Sequence, residues 1–250
     1  MPGVFSRSAN GLSGFEKRTW RSWHHTTMGT HAWTVAPGYS EIEVGVEWDR
    51  SPDGSHALVV PAFLKIGFDP RTQLGLLTSL NRPSGTSIGV GDFTIFLKYR
   101  LADHLPLLGA VAVIPAVKLP TGAASRGTTT TDGSIFLVSS NQIGGFSLDV
   151  NAGYTLRSGN GTKAPRDATL WTVAVGGPLH GPWGLAAEGF GFPATGGPAG
   201  APNAVAVLAG PTLAVSPRWT LDLGAILHLR GRQPDALYFG FVHNVGRPFP

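Results

Sequence analysis

No cysteine occurs in the 250 residues, which excludes a disulfide scaffold and thiolate chemistry. Charge is scarce as well: Asp, Glu, Lys and Arg make up 14% of the chain, against about 25% in a typical soluble domain. Long apolar runs are missing too. The longest, 105–117, is broken by Pro106, Gly109 and Pro115 and falls short of the ~20 residues that a spanning helix needs. The basic residues behind a net charge of +4 are scattered and accompanied by 15 acids, so they form no patch for nucleic acid. Glycine is what abounds, with 35 residues, roughly twice the usual ~7%. That composition suits many strands and turns.

The pattern says which kind of strand. In 146–157, Phe146, Leu148, Val150, Ala152, Tyr154 and Leu156 alternate with Ser147, Asp149, Asn151, Gly153, Thr155 and Arg157. Strict period-2 alternation gives a strand with one apolar and one polar face. Its length matches the roughly 9–11 tilted residues that cross the hydrocarbon of a bilayer. Eleven more segments read similarly: 39–48, 56–68, 73–80, 91–101, 107–119, 134–140, 168–176, 183–192, 204–215, 219–230 and 236–245. Connections after even strands are tight, whereas 120–133, 158–167 and 193–203 after odd strands are long, although the remaining odd connections are short. Outer-membrane barrels have short periplasmic turns, longer extracellular loops and an even strand count. The expected fold is therefore all-β, a transmembrane antiparallel up-and-down barrel of about 12 strands over residues 35–250.

Charge placement assigns the faces. An Arg or Lys against mid-bilayer lipid costs about 2–4 kcal/mol. Glu43, Glu47, Lys65, Asp92, Lys98, Arg100, Lys118, Asp149, Arg157, Glu188, Asp222, His228 and Arg230 all lie opposite the apolar parity, so they are expected to line the lumen. There they either pair to stiffen the barrel or contact a solute. Unpaired burial is costly, so Lys98 and Arg100 are expected to pair with acids on neighbouring strands. The large aromatics Trp48, Tyr99, Tyr154, Trp171, Trp183 and Trp219 fall near strand ends, where headgroups satisfy both ring and polar handle.

Residues 1–34 form a basic N-terminal tail, read as disordered. It lacks the apolar stretch of 7–15 residues of a secretory signal peptide, and the export signal is expected upstream of this start. His24, His25 and His31 have no metal-ligand spacing. Ser139 or Ser140 with His228 could supply a hydroxyl–imidazole pair, but no local motif accompanies them. No cofactor, metal or catalytic residue is expected, and the oligomeric state is left open.

Two motifs carry a resemblance. Gly89-Val90-Gly91-Asp92-Phe93-Thr94-Ile95-Phe96-Leu97-Lys98-Tyr99-Arg100-Leu101 and Pro115-Ala116-Val117-Lys118-Leu119-Pro120-Thr121-Gly122 resemble two elements of the "MetA-pathway of phenol degradation" family of outer-membrane transporters. The stretch Ser216-Pro217-Arg218-Trp219-Thr220-Leu221-Asp222 is similar to a later one. The resemblance implies an outer-membrane channel for passive passage of small, apolar or aromatic molecules, with outer-membrane lipid and the solute as partners. The alternative is a soluble barrel that binds a small ligand without transporting it, with its apolar face turned inwards. The loop 120–133 is expected to gate the mouth, tethered to lumen charges through Arg126 and Asp132.

Overall fold

In a computed structural model, which describes residues 28–231 and 233–247, the chain closes into one antiparallel barrel. Its strands are β1 (Ser40–Arg50), β2 (His56–Asp69), β3 (Thr72–Arg82), β4 (Gly89–Val90), β5 (Phe93–Leu105), β6 (Gly109–Leu119), β7 (Asp132–Ile143), β8 (Phe146–Arg157), β9 (Asp167–His180), β10 (Trp183–Phe192), β11 (Ala204–Ser216), β12 (Trp219–Arg230) and β13 (Asp235–Gly246). Sequential neighbours pair from β1 to β4 and from β5 to β13, β5 pairs β3, and β1 pairs β13 along its whole length. The ring has no open edge except at β4, a two-residue strand that pairs only with the end of β3. Twelve long strands thus form the wall. No helix among the described residues is long and apolar enough to cross a membrane, and strands do so here instead.

The expected strand bounds hold closely, with extensions that have a physical cause. β8, β10 and β12 start and end where their alternation does. β5 runs on through Ala102, Asp103, His104 and Leu105, because its pairing with β6 shifts register twice. A bulge breaks period-2 alternation without ending the strand. β9 likewise continues through Gly177 and Pro178, which stay in register with Leu185 and Gly184.

Loop lengths sort by barrel end. The connections 70–71, 106–108, 144–145, 181–182 and 217–218 lie at the end where β1 begins and β13 finishes. The connections 51–55, 83–92, 120–131, 158–166 and 193–203 lie at the other. Every connection at the first end is two or three residues long, and the longer connections all lie at the other, which places the start of β1 and the end of β13 on the periplasmic side.

The outer wall is apolar. Leu137, Leu223 and Leu227 are 55%, 55% and 53% exposed, and Ile95, Leu97, Tyr99 and Leu101 form a row of exposed side chains along β5. A soluble barrel would turn these residues inwards, since contiguous apolar surface of this extent demands a partner phase. Trp183 and Trp219 begin strands at the periplasmic end, whereas Trp48 and Trp171 lie towards the extracellular one. They form the two aromatic belts of a bilayer-spanning barrel.

Candidate functional site

The lumen is built in three tiers. At the extracellular mouth Asp92, Lys118, Asp132 and Arg157 alternate in sign around the rim. Register brings them together: Lys118 opposes Asp132 across β6–β7, and Asp132 opposes Arg157 across β7–β8. Lys118 Nζ lies 3.0 Å from Asp92 and 3.2 Å from Asp132, and Arg157 Nε lies 3.5 Å from Asp132.

Here the two motifs of the sequence meet. Asp92 also accepts the Gly122 N–H at 3.1 Å and the Thr128 N–H at 2.9 Å, pinning both ends of the loop after β6. Burial opposes ionisation of Asp92, but the Thr128 N–H, the Lys118 ammonium and the Gly122 N–H together outweigh it and hold its carboxyl below the ordinary value of 3.8. A lowered folded-state pKa stabilises the latch above the unfolded value and withdraws that support as pH falls through the folded one. Protection of the Gly122 and Thr128 amides relative to their intrinsic exchange rates is therefore expected to hold from neutral pH down to the ordinary carboxylate value and to be lost only below it. Loss of protection already near neutrality would contradict this account.

Arg126 differs from expectation. Its guanidinium donates to the Ser87 carbonyl at 2.7 Å and to Ser87 Oγ at 2.8 Å, and its own carbonyl accepts from Asn81 at 2.7 Å. It holds the loop onto the β3–β5 connection, not onto lumen charges. Asp132, by contrast, joins the loop's end to Lys118 and Arg157.

At mid-height, Lys65 bridges Glu41 at 3.1 Å and also contacts Glu43. The remaining polar groups serve a segment that the sequence did not place here. Residues 28–36 do not lie in an external tail; they cross the lumen. Glu188 accepts the N–H groups of Met28 and Gly29 at 2.9 and 2.7 Å, and Asn151 accepts that of Thr30 at 3.1 Å. Ser140 accepts the Ala32 N–H at 2.7 Å and donates to Asp149, while Gln73 accepts the Val35 N–H at 2.9 Å. Lys98, 1% exposed, donates to Thr30 Oγ1, the His31 carbonyl and the Trp33 carbonyl at 3.0, 2.8 and 3.3 Å. Three acceptors match the three N–H bonds of an ammonium. Lys98 thus binds the backbone of this segment instead of an acid on a neighbouring strand. The remainder of the tail, residues 1–27 with His24 and His25, lies outside the described residues.

Near the periplasmic end Arg100 pairs with Asp103 on its own strand at 2.7 Å and donates to the Pro70 carbonyl at 2.6 Å. Its guanidinium lies 5.0 Å from the centre of the Trp33 ring, a cation–π contact that fixes the segment's exit. Arg71 completes the cluster, 3.2 Å from Asp103.

The other expected residues divide. Asp222 is buried between β11 and β13, opposite Thr212 and Gly240, and Glu47 opposes Tyr238 on the β13 side. His228 faces Asp235 at 3.6 Å, while Ser139 donates to the Leu108 carbonyl and Ser140 to Asp149, so among the described residues neither serine pairs with this imidazole. Arg230 is exposed at the end of β12, opposite Val205 of β11, and does not line the lumen.

Between rim and segment lies a cavity of about 360 Å³. Phe63, Leu77, Phe96, Ile114, Phe136 and Leu170 wall it, and Met28–His31 form its floor. Two glycines keep it open. A Cβ at Gly75 would stand 1.9 Å from the Phe96 ring, and one at Gly153 would stand 2.3 Å from Phe136. Each ring therefore lies flat over the neighbouring strand, where a larger residue would push it into the lumen. The lumen is thus part apolar, whereas the sequence reading singled out only its charges.

A closed wall of twelve long strands, an apolar exterior between aromatic belts and an interior that holds most of the wall's charges define an outer-membrane β-barrel. The chain belongs to the "MetA-pathway of phenol degradation" family, whose model matches residues 30–236. No curated protein matches it in sequence. Its fold is similar to that of an outer membrane channel from Pseudomonas putida F1, with a TM-score of 0.69 and 11% identity, over 87% of this chain and 99% of that one. The NanC porin is similar at a TM-score of 0.59 and 11% identity, over 82% of this chain and 98% of that one. The KdgM porin, solved in complex with disordered oligogalacturonate, is similar at 0.57 and 9% identity, over 81% and 98%.

Proposed function

We propose that the chain is a passive channel admitting small apolar or aromatic solutes across the outer membrane. The cavity carries this reading: six apolar side chains, set among polar ones such as Thr94, Ser134 and Asn151, line it beneath a charged rim. Transfer of apolar surface out of water is favourable by about 25 cal/mol per Å², so such a wall retains a solute that a water-filled pore would not. The family's link to phenol degradation and the channel nature of the Pseudomonas putida F1 neighbour support it. Flux down a gradient requires no energy source. Residues 28–31 form the floor and belong to the segment that crosses the lumen, so displacement of that segment is a step in passage.

The test needs a membrane that itself resists apolar solutes, namely vesicles with lipopolysaccharide in the outer leaflet. Incorporated protein is expected to accelerate entry of a neutral aromatic such as toluene while leaving a sugar of similar size nearly excluded. Equal acceleration of both would make the barrel a general hydrophilic pore and overturn the apolar assignment.

A further inference from the structure

Most charges on the wall obey a parity rule, and the exceptions include Asp167 opposite the outward Leu156, Asp235 opposite Arg50, and two arginines. Every inward cation on a strand between β2 and β8 has partners: Lys65, Lys98, Arg100, Lys118 and Arg157. Arg50 and Arg82 instead occupy the outward parity, Arg50 beyond Val46 and Trp48 on β1, and Arg82 beyond Leu80 on β3. Both sit at extracellular strand ends, where an outward arginine costs little compared with the midplane. Among the described residues no carboxylate lies within 4.0 Å of either guanidinium.

The two belong to one patch. Arg50 opposes His56 across β1–β2, Trp48 opposes Leu58, and Leu58 opposes Arg82 across β2–β3. The Arg82 guanidinium lies 5.9 Å from the centre of the Trp48 ring, and the Trp48 indole N–H donates to His56 Nδ1 at 3.2 Å. That bond leaves the imidazole proton on Nε2 as a free donor. Asp235 stands directly opposite Arg50 across β1–β13 but accepts the His228 N–H at 2.8 Å and makes no ion pair with the guanidinium, and Asp53 accepts the Ser55 N–H at 2.9 Å.

The geometry points to a phosphate-binding site for a lipid headgroup of the outer leaflet, formed by Arg50, Arg82 and His56 around Trp48. Guanidinium groups recognise phosphate through paired N–H donors, and basic clusters at the membrane surface select anionic headgroups. Guanidinium donors without a carboxylate ion pair beside an aromatic belt are complementary to a phosphorylated glycolipid lying along the wall. The assignment rests on the outer-membrane orientation derived above.

The full-length protein, extracted in detergent, is titrated with lipid A and read by native mass spectrometry. Saturable binding is expected at this site, weakened about tenfold or more in the Arg50→Gln/Arg82→Gln double variant and unchanged by Arg218→Gln at a periplasmic turn. Dephosphorylated lipid A is expected to bind as weakly to the parent as lipid A does to the double variant. Unaltered affinity in the double variant, or equal affinity for the dephosphorylated lipid, would overturn the site. Equal affinity for phosphatidylglycerol would overturn the glycolipid assignment. A protein that left membranes without detergent would refute the membrane reading first, before any lipid is added.

Discussion

Arginine in place of Leu97 is expected to destabilise the inserted barrel by about 2–4 kcal/mol. Leu97 projects from the middle of β5 beside Leu74 of β3, on the apolar outer wall. No carboxylate row lies on that face to receive a charge, and a midplane side chain is too far from headgroups to reach them. Thr94 is on the same strand but lines the cavity opposite Lys118. Arginine there meets water and the rim acids, and is expected to change stability by no more than about 1 kcal/mol. Urea unfolding in lipid vesicles measures both. Equal damage by both substitutions would mean that the two faces see the same surroundings, which a bilayer-spanning wall forbids.

Lys98→Ala is expected to raise single-channel conductance in planar bilayers. The ammonium holds two carbonyls and one hydroxyl of residues 30–33, and its loss strands buried acceptors at about 1–3 kcal/mol. One or two kcal/mol shifts a two-state population by a factor of about 5–30, enough to turn rare displacement of the segment into frequent opening. Glu188→Ala releases the same segment at Met28 and Gly29 and is expected to act in the same direction. The wall remains closed in both variants, because neither residue's backbone pairing changes. Unchanged conductance in folded variants would mean that residues 28–36 do not obstruct the path.

Much of this architecture was legible in the sequence because a barrel repeats one rule. Alternation fixed β8, β10 and β12 to the residue, since each is bounded by glycine, proline or an opening aromatic. It failed where pairing continues without alternation. Ala102–Leu105 belongs to β5 through bulges, and Gly89–Val90 is too short to show a period. The rim tetrad was present among the candidate charges, and cross-strand register supplied the pairing that parity alone cannot.

The segment over residues 28–36 was illegible for a different reason. Its backbone is satisfied by side chains of distant strands, not by a ladder, so it carries no periodic signature. An indirect signal existed: Gln73, Ser140, Asn151 and Glu188 all fall on the inward parity, and a buried polar group needs a partner. The apolar cavity wall was equally readable, as Phe96 stands between Thr94 and Lys98 and Phe136 beside Ser134 on inward faces. Attention to charge alone passed over them.

The seam between β1 and β13 has a consequence for how the molecule is made. Eleven registered pairs, from Ser40 with Gly246 to Arg50 with Asp235, join the two termini of the wall. This contact spans nearly the whole chain, and pairing so remote in sequence is slow to form. Residues 28–36 run directly into β1 and end up enclosed, so the simplest order of events has the sheet curl around them before its edges meet. Until that moment β1 and β13 each present an unpaired edge, the state most prone to wrong association. The last bonds to form thus also trap the molecule's own leading segment, and assembly and closure of the lumen become a single event.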